Sequence, residues 1–433
     1  MQIRTITLKE FQDFSENWEH QNFHQSISYA LLKSEEGYEY EMIGYFDGDS
    51  IVASALVLVQ MINSYLYAYV PEGFLIDYKN ENLLNNFTKD LINFYKKEGI
   101  AFIRINPTIP IAKIDNKTKN PIYNDNYRII EILNRCGYIK IDTSKVFTSI
   151  LPTYEAIVNL DNFNINNLNK NVRNKIRKCE RKGLIIEKSD ALSMDKLYKF
   201  IKNKIHKDMF HYSDYYNIFN KENAIDYFLV KIDNESLAIN SQKAYEEEKE
   251  KNELLSKKLL KVPSERNINK KMNSDKTLLC LKEDILLSNK YLANNEDNYI
   301  AGALVVKCKD KISILVSGYD KKYQSFSPNY FLFYKILMNY KNNYKFASLG
   351  GVSGNFSKDS KYYGLDNFKM GFKPDIYEYI GEFDLILNKI NYYFLNKKNL
   401  VEKEFQKNNY QKYQILNFVI INKFLKIYKY VHY

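Results

Sequence analysis

Apolar positions recur at helical intervals through Leu8–His20, and the pattern then changes to short extended runs. Tyr40–Phe46 and Ser50–Met61 read as adjacent strands around the turn residues Asp47-Gly48-Asp49. Over Asn82–Glu98, the residues Leu83, Leu84, Phe87, Leu91, Ile92 and Phe94 predict an amphipathic helix. Ile100–Ile105 follows as a buried strand ended by Asn106-Pro107, since proline has no N–H to give a sheet. The order then restarts. Thr153–Leu160 reads as a strand, Asn166–Lys182 as a basic helix with Gly183 at its C-cap, Leu184–Lys188 as a strand, and Met194–Lys207 as a helix. Strands over Tyr299–Lys307 and Lys311–Gly318 and a helix near Tyr330–Asn339 complete the second series. Such alternation predicts an α/β (α+β) layer fold in two similar halves, a duplication read from element order and not from residue identity.

Between the parts of the second series lies a charged interruption at 234–298. Its apolar positions Leu237, Ala244, Tyr245, Leu254, Leu255, Leu259 and Leu260 precede a break at Pro263-Ser264, and a second helical stretch runs through Leu278, Leu281, Ile285 and Leu286. Two antiparallel helices joined by a short turn are expected, either as a solvated arm or as a surface for RNA or a protein partner. The chain thus divides into a first half at 1–152, a second at 153–233 and 299–384, an arm at 234–298, and a return segment and tail at 385–433.

Composition narrows the class. At 433 residues the chain exceeds the ~100–200 that one core usually organises, in keeping with two halves. It is 45% apolar and 27% charged, with only 8 Pro and 15 Gly, so a globular chain without long flexible linkers is expected. The longest apolar runs, such as Ile51–Met61, fall short of the ~20 residues a spanning helix needs, and Met1–Glu10 lacks the apolar core of a signal peptide. The four cysteines are far apart with no CxxC, which fits a reduced, cytoplasmic setting. Formal net charge is +11. It concentrates in residues 171–182, with six Lys/Arg against one Glu, and in 385–433, with nine Lys against two Glu. Either run suits phosphate-bearing ligands or an anionic surface, or is a solvated face.

Several chemistries lack their motifs. There is no GxxxxGK[ST] loop, no GxGxxG, no HExxH, no Cys/His cluster and no GxSxG, and only five histidines. No cofactor is expected. An enzyme built this way would receive a substrate already activated and would mainly position two reactants.

Four segments stand out together. They are Phe23-His24-Gln25-Ser26 followed by Lys33; Tyr69-Val70-Pro71-Glu72-Gly73-Phe74-Leu75-Ile76-Asp77-Tyr78 with Phe102–Pro107; the basic run Asn171–Gly183; and Gly350-Gly351-Val352-Ser353-Gly354 with Asn367–Phe372 and Glu378–Leu385. Their order, with a helical hairpin inserted before the last group, resembles the Fem family of tRNA-dependent aminoacyltransferases over roughly residues 1–388. The resemblance implies two GNAT-like domains with a coiled-coil arm in the second. It also implies an activity, transfer of an amino acid from aminoacyl-tRNA to the side-chain amine of the stem peptide on lipid-linked peptidoglycan precursor. Alternatives are the same fold acting on a different amine acceptor, or a non-catalytic RNA- or membrane-binding module. Oligomeric state is left open.

The resemblance also assigns residues. Lys33 matches the position that holds the precursor's phosphates, and His211 and Tyr215 occupy a second phosphate-binding pair in which the family commonly has Arg before Tyr. Phe368 and Lys369 stand where the family binds the tRNA end and stabilises the oxyanion, a task suited to a compact ammonium. Glu382 could orient that lysine or the acceptor amine. Asn106 is a departure, because the family often places an Asp there and an amide cannot take a proton. Water, a substrate phosphate or another carboxylate such as Asp77 would then serve. A second departure is the strand Ile314–Gly318, which lacks the aromatic hydroxyl usual there. Arg173, Arg177 and Arg181 fall on one helix side and read as tRNA phosphate contacts or as bridges within the domain. Beyond 388, Tyr413–Tyr430 reads as a basic amphipathic helix, which could make peripheral contact with the inner face of the plasma membrane over 412–430 or dock on the core.

Overall fold

Each half is organised by one pair of parallel strands and the helix that crosses between them. The computed structural model describes residues 1–62, 64–141, 151–203, 207–294 and 298–397, so the amphipathic stretch at 412–430 lies outside the described residues. In the first half, Tyr65–Val70 pairs in parallel with Ile100–Ile105, and the helix Glu81–Tyr95 makes the crossover. In the second, Lys311–Tyr319 pairs with Phe346–Val352 around the helix Pro328–Tyr340. Parallel neighbours need such a crossover, because a tight turn can join only antiparallel strands. All other strand pairings among the described residues are antiparallel.

The sheets do not divide at 152/153. The first, of seven strands, takes Phe383–Ile386 from near the end of the described chain and seats it between Ile100–Ile105 and Tyr138–Lys140. The nine-stranded sheet takes Pro110–Ile114 and Pro121–Tyr123 from the first half at its far edge, beside Asp375–Tyr379. Both are short and begin with proline, a place where the missing N–H is tolerated, and Pro121–Tyr123 forms the outer edge. Three buried clusters result, two of them on the outer faces. The third is shared: Phe11, Phe23, Leu56 and Tyr69 of the first half meet Leu197, Tyr215, Phe219 and Leu304 of the second, and this welds the halves together.

The interruption forms the expected hairpin, Asn234–Lys261 and Glu265–Asn294, joined across Val262-Pro263-Ser264. Helices of 28 and 30 residues reach roughly 40 Å at 1.5 Å per residue. Its midpoint is pinned by polar contacts, Asn252 Nδ2 donating to Ser274 Oγ at 3.0 Å and to Asp275 Oδ1 at 2.8 Å. At its base Gly183, at φ +69°, ends the basic helix and lies so close that a Cβ would stand 2.9 Å from Ser236 Cβ. Among the described residues, no helix is long and apolar enough to cross a membrane.

Candidate active site

The N-terminal motifs converge through caps and side-chain clamps. Ser26 caps the helix Ile27–Glu35, its Oγ accepting from Tyr29 N at 3.1 Å, and this sets Lys33 in the last turn. Asp208 caps Met209–Asn220 by accepting from His211 N at 2.9 Å, which places His211 and Tyr215 on successive turns. The two helices pack together around Glu36. Lys33 Nζ lies 2.8 Å from one carboxylate oxygen, and His211 Nδ1 and Lys207 Nζ lie 2.7 and 3.5 Å from the other. Burial would raise the Glu36 pKa, but Lys33, His211 and Lys207 outweigh it and hold the carboxylate well below its usual range. Burial pushes His211 down, so its ring is neutral near pH 7, and two ammoniums face one carboxylate. The buried hydroxyl of Tyr215 has no hydrogen-bond partner among the described residues. A surplus cation beside an orphaned hydroxyl is the composition of an anion site. Lys33, His211 and Tyr215 are therefore brought together, with Lys33 held by Glu36 and not free.

A second group lies at the ends of the first half's parallel strands. Gln25 pins the following loop, its Nε2 donating to Pro71 O at 2.7 Å and its Oε1 accepting from Leu56 N at 2.7 Å. Asn106 Oδ1 accepts from Glu72 N at 2.8 Å, and its Nδ2 donates to Tyr69 OH at 2.9 Å. Glu72 sits at φ +61°, a region few non-glycine residues enter. Its buried carboxylate lies 2.6 Å from His24 Nδ1. Gly73 follows at φ +80° against Pro107, where a Cβ would approach Pro107 Cγ to 2.9 Å. Asp77 does not join this group. It is exposed and closes a turn by accepting from Lys79 N at 2.9 Å. The carboxylate beside Asn106 is Glu72, which sequence reasoning passed over because the contact with His24 spans 48 residues.

The third group lies in the second half. Lys369 is buried in the helix Tyr363–Met370, and its Nζ donates to Gly351 O at 2.6 Å. Burial pushes Lys369 down to about 8, offset in part by the charges of Glu155 and Asp366. Those two carboxylates are the charges that offset its burial. Glu382 is buried 4.0 Å from Arg104, which is itself clamped by Asp384 through two bonds of 2.8 Å. Burial pushes the Tyr69 hydroxyl up, with Tyr29 and Glu382 adding to it, so Glu382 lies near the Tyr69–Asn106 group and of its two expected roles the position suits the acceptor side. Phe368 turns away into an aromatic cluster, with ring centroids 4.9 Å from Tyr330 and 4.8 Å from Phe333. It is half-buried there and helps anchor the helix that carries Lys369.

Lys311 links the groups. Burial opposes its charge, but Glu155 and Glu72 outweigh that and raise it. Glu155 is fixed by Ser348 Oγ and by Tyr379 OH, the latter at 2.6 Å. A charged strip thus runs from Glu72 through Lys311 and Glu155 to Lys369. Glu72 lies within a motif the sequence marks, but neither Lys311 nor Glu155 does, and only folding assembles the three.

The basic helix Lys170–Arg181 spends several of its charges internally. Lys175 covers the Tyr330 ring at 4.1 Å, and Arg173 donates to Asn166 O at 3.1 Å. Lys182, just past its end, pairs with Asp284 of the arm at 2.7 Å. Arg177 and Arg181 are exposed and make no ion pair among the described residues.

Comparison with known proteins places this geometry in a family. The model of the FemAB family matches residues 6–399. The aminoacyltransferase FemA of Staphylococcus epidermidis is 26% identical over 419 residues, covering 90% of this chain and 97% of the relative. FemA of Staphylococcus aureus is 22% identical over 411 residues, covering 90% and 96%. The crystal structure of FemX superposes with a TM-score of 0.70 at 20% identity, over 91% of this chain and 99% of that one.

Proposed function

This chain belongs to the FemAB family and is an aminoacyltransferase, and we propose that it joins an amino acid carried on tRNA to the side-chain amine of the stem peptide in lipid-linked peptidoglycan precursor. The work would be done on the cytoplasmic side, against the membrane that holds the acceptor.

One observation carries this reading: a buried ammonium, Lys369, held at a strand gap with a backbone carbonyl as its one hydrogen-bond partner among the described residues. The ester of aminoacyl-tRNA is already activated, so the amine nitrogen can attack its carbonyl directly. As the C–N bond forms, negative charge builds on the carbonyl oxygen, and Lys369 supplies the positive partner. At about 8, its pKa leaves it mostly charged at neutral pH. The ester C–O bond then breaks, and the ribose 3′ oxygen leaves with a proton. Neither nucleotide hydrolysis nor a covalent enzyme intermediate is needed. The Lys33, Lys207 and Tyr215 group suits the diphosphate of the precursor, and Arg177 and Arg181 suit tRNA phosphates.

The test is a transfer assay with a panel of tRNAs charged with labelled amino acids and with lipid II as acceptor. Label in lipid II supports the proposal. Label only in another amine replaces the acceptor, and tRNA binding without transfer removes the activity from this chain.

A further inference from the structure

Resting on the acyl-transfer reading above, we infer that His24, oriented by Glu72, takes the proton from the acceptor amine that Asn106 cannot take. An amine attacks only as the free base, and a lysine-type amine is almost wholly protonated at neutral pH. Some group must accept that proton. Asn106 has no site for it, Asp77 faces solvent in a turn, and Glu382 is committed beside Arg104.

The loop Pro71-Glu72-Gly73 supplies the substitute. Three separate clamps hold it: Gln25 on the Pro71 carbonyl, Asn106 on the Glu72 N–H, and His24 on the Glu72 carboxylate. Together they hold Glu72 at a positive φ that costs a non-glycine residue backbone energy, and such strain persists where the surroundings over-determine it. The carboxylate can only accept, so the 2.6 Å contact puts the hydrogen of the neutral ring on His24 Nδ1 and leaves the lone pair on Nε2. Nε2 has no hydrogen-bond partner among the described residues. The ring is packed edge-on against Tyr29, with centroids 4.8 Å apart, which fixes its plane. This is the arrangement of a general base with an orienting carboxylate. Two hydrogen bonds join His24 through Glu72 to Asn106, the position at which the resemblance implies an Asp near the acceptor amine.

Atoms and charges balance. The acceptor ammonium gives one proton to His24 Nε2, and the resulting neutral amine forms the C–N bond to the ester carbonyl. The proton still surplus on that nitrogen passes to the ribose 3′ oxygen as the C–O bond breaks. The imidazolium, stabilised by Glu72, returns its proton to water before the next turnover.

The decisive variant is His24→Asn. Its side-chain Nδ2 occupies the place of the ring Nδ1 and still donates to Glu72, but nothing remains at the Nε2 position. Single-turnover transfer from charged tRNA to lipid II is expected to fall about 100-fold, the low end for loss of a general base. Glu72→Gln is expected to fall about 10-fold on the same principle. Each variant is also assayed with a precursor whose acceptor amine carries neighbouring fluorines and is neutral at the assay pH. That acceptor needs no base, so the His24→Asn defect should shrink to about threefold or less by the same logic. The comparison is made within one protein preparation, so it holds even where the substitution lowers stability. Parental rates for His24→Asn, or an equal defect on both acceptors, overturn the inference while leaving the transfer activity intact. A parent chain that labels lipid II from no charged tRNA overturns both readings together.

Discussion

In the first half, the parallel strands Tyr65–Val70 and Ile100–Ile105 stay paired to their last residues, Val70 against Ile105. In the second half, Lys311–Tyr319 and Phe346–Val352 pair only from Lys311/Phe346 to Ser313/Ser348 and then part. Gly350 lies in the parted segment at φ +81°, where a Cβ would stand 3.4 Å from Lys369 Nζ. The closed pair ends in a satisfied polar network at Asn106, and the open pair ends in a buried ammonium. One crossover plan has therefore been used twice for different ends. Closure leaves a rigid, hydrogen-bonded loop and opening makes room for a buried charge, which suits the acceptor and oxyanion roles proposed above.

The largest expected effect tests the closed side. Arg104→Ala leaves Asp384 and Glu382 buried without their cation, which should cost about 3–5 kcal/mol of stability, seen as a large fall in chemical-denaturation midpoint. An unchanged midpoint would mean that the first half does not depend on that clamp. Next comes the open side. Lys369→Met should slow single-turnover transfer about 10²–10³-fold while leaving charged-tRNA affinity close to parental. Its melting temperature should not fall, because a charge shifted from 10.5 to about 8 is itself held at a cost on the order of 3 kcal/mol. The sign follows from linkage: between about 8 and 10.5 the unfolded parent binds more protons, so its stability rises with pH, and the Met variant lacks that rise.

Smaller effects sharpen the comparison. Arg177→Ala with Arg181→Ala should weaken tRNA binding and reduce the slope of log affinity against log salt by about two, with the rate from saturated complex unchanged. Smallest of all is Asn106→Asp. The new carboxylate can still accept from Glu72 N, and transfer should change by about threefold or less if His24 already removes the proton. A tenfold gain would show that a carboxylate at 106 is the better base.

What was legible in the sequence was mostly periodic. The arm, the helix ending at Gly183 and the strands at 40–61 and 299–318 all carry their own pattern, and the structure has each. The helix expected from Asn166 begins at Lys170, because Ile165–Asn167 forms a separate turn first. The strand exchange was hidden, since Pro121–Tyr123 has three exposed residues and no apolar face to announce it. Site residues split the same way. Lys33, Glu72, His211, Tyr215 and Lys369 sit in motifs, whereas Glu155 and Lys311 matter only through partners far along the chain, and Glu36 joins its neighbour Lys33 to the distant Lys207 and His211. Where a side chain points is equally invisible: Phe368 adjoins Lys369 in sequence yet packs its ring against Tyr330 and Phe333 at the margin of the core.

The central claim is that the Lys369 ammonium stabilises the oxyanion, and the ratio of parent to Lys369→Met transfer rates across pH tests it most directly. Ionisation of the acceptor amine and loss of the ester affect both proteins and cancel in the ratio. The account predicts a large, flat ratio below about pH 8 that falls as pH rises through that value and the lysine loses its charge. A ratio that stays constant from pH 6.5 to 9.5, or that grows with pH, would contradict it.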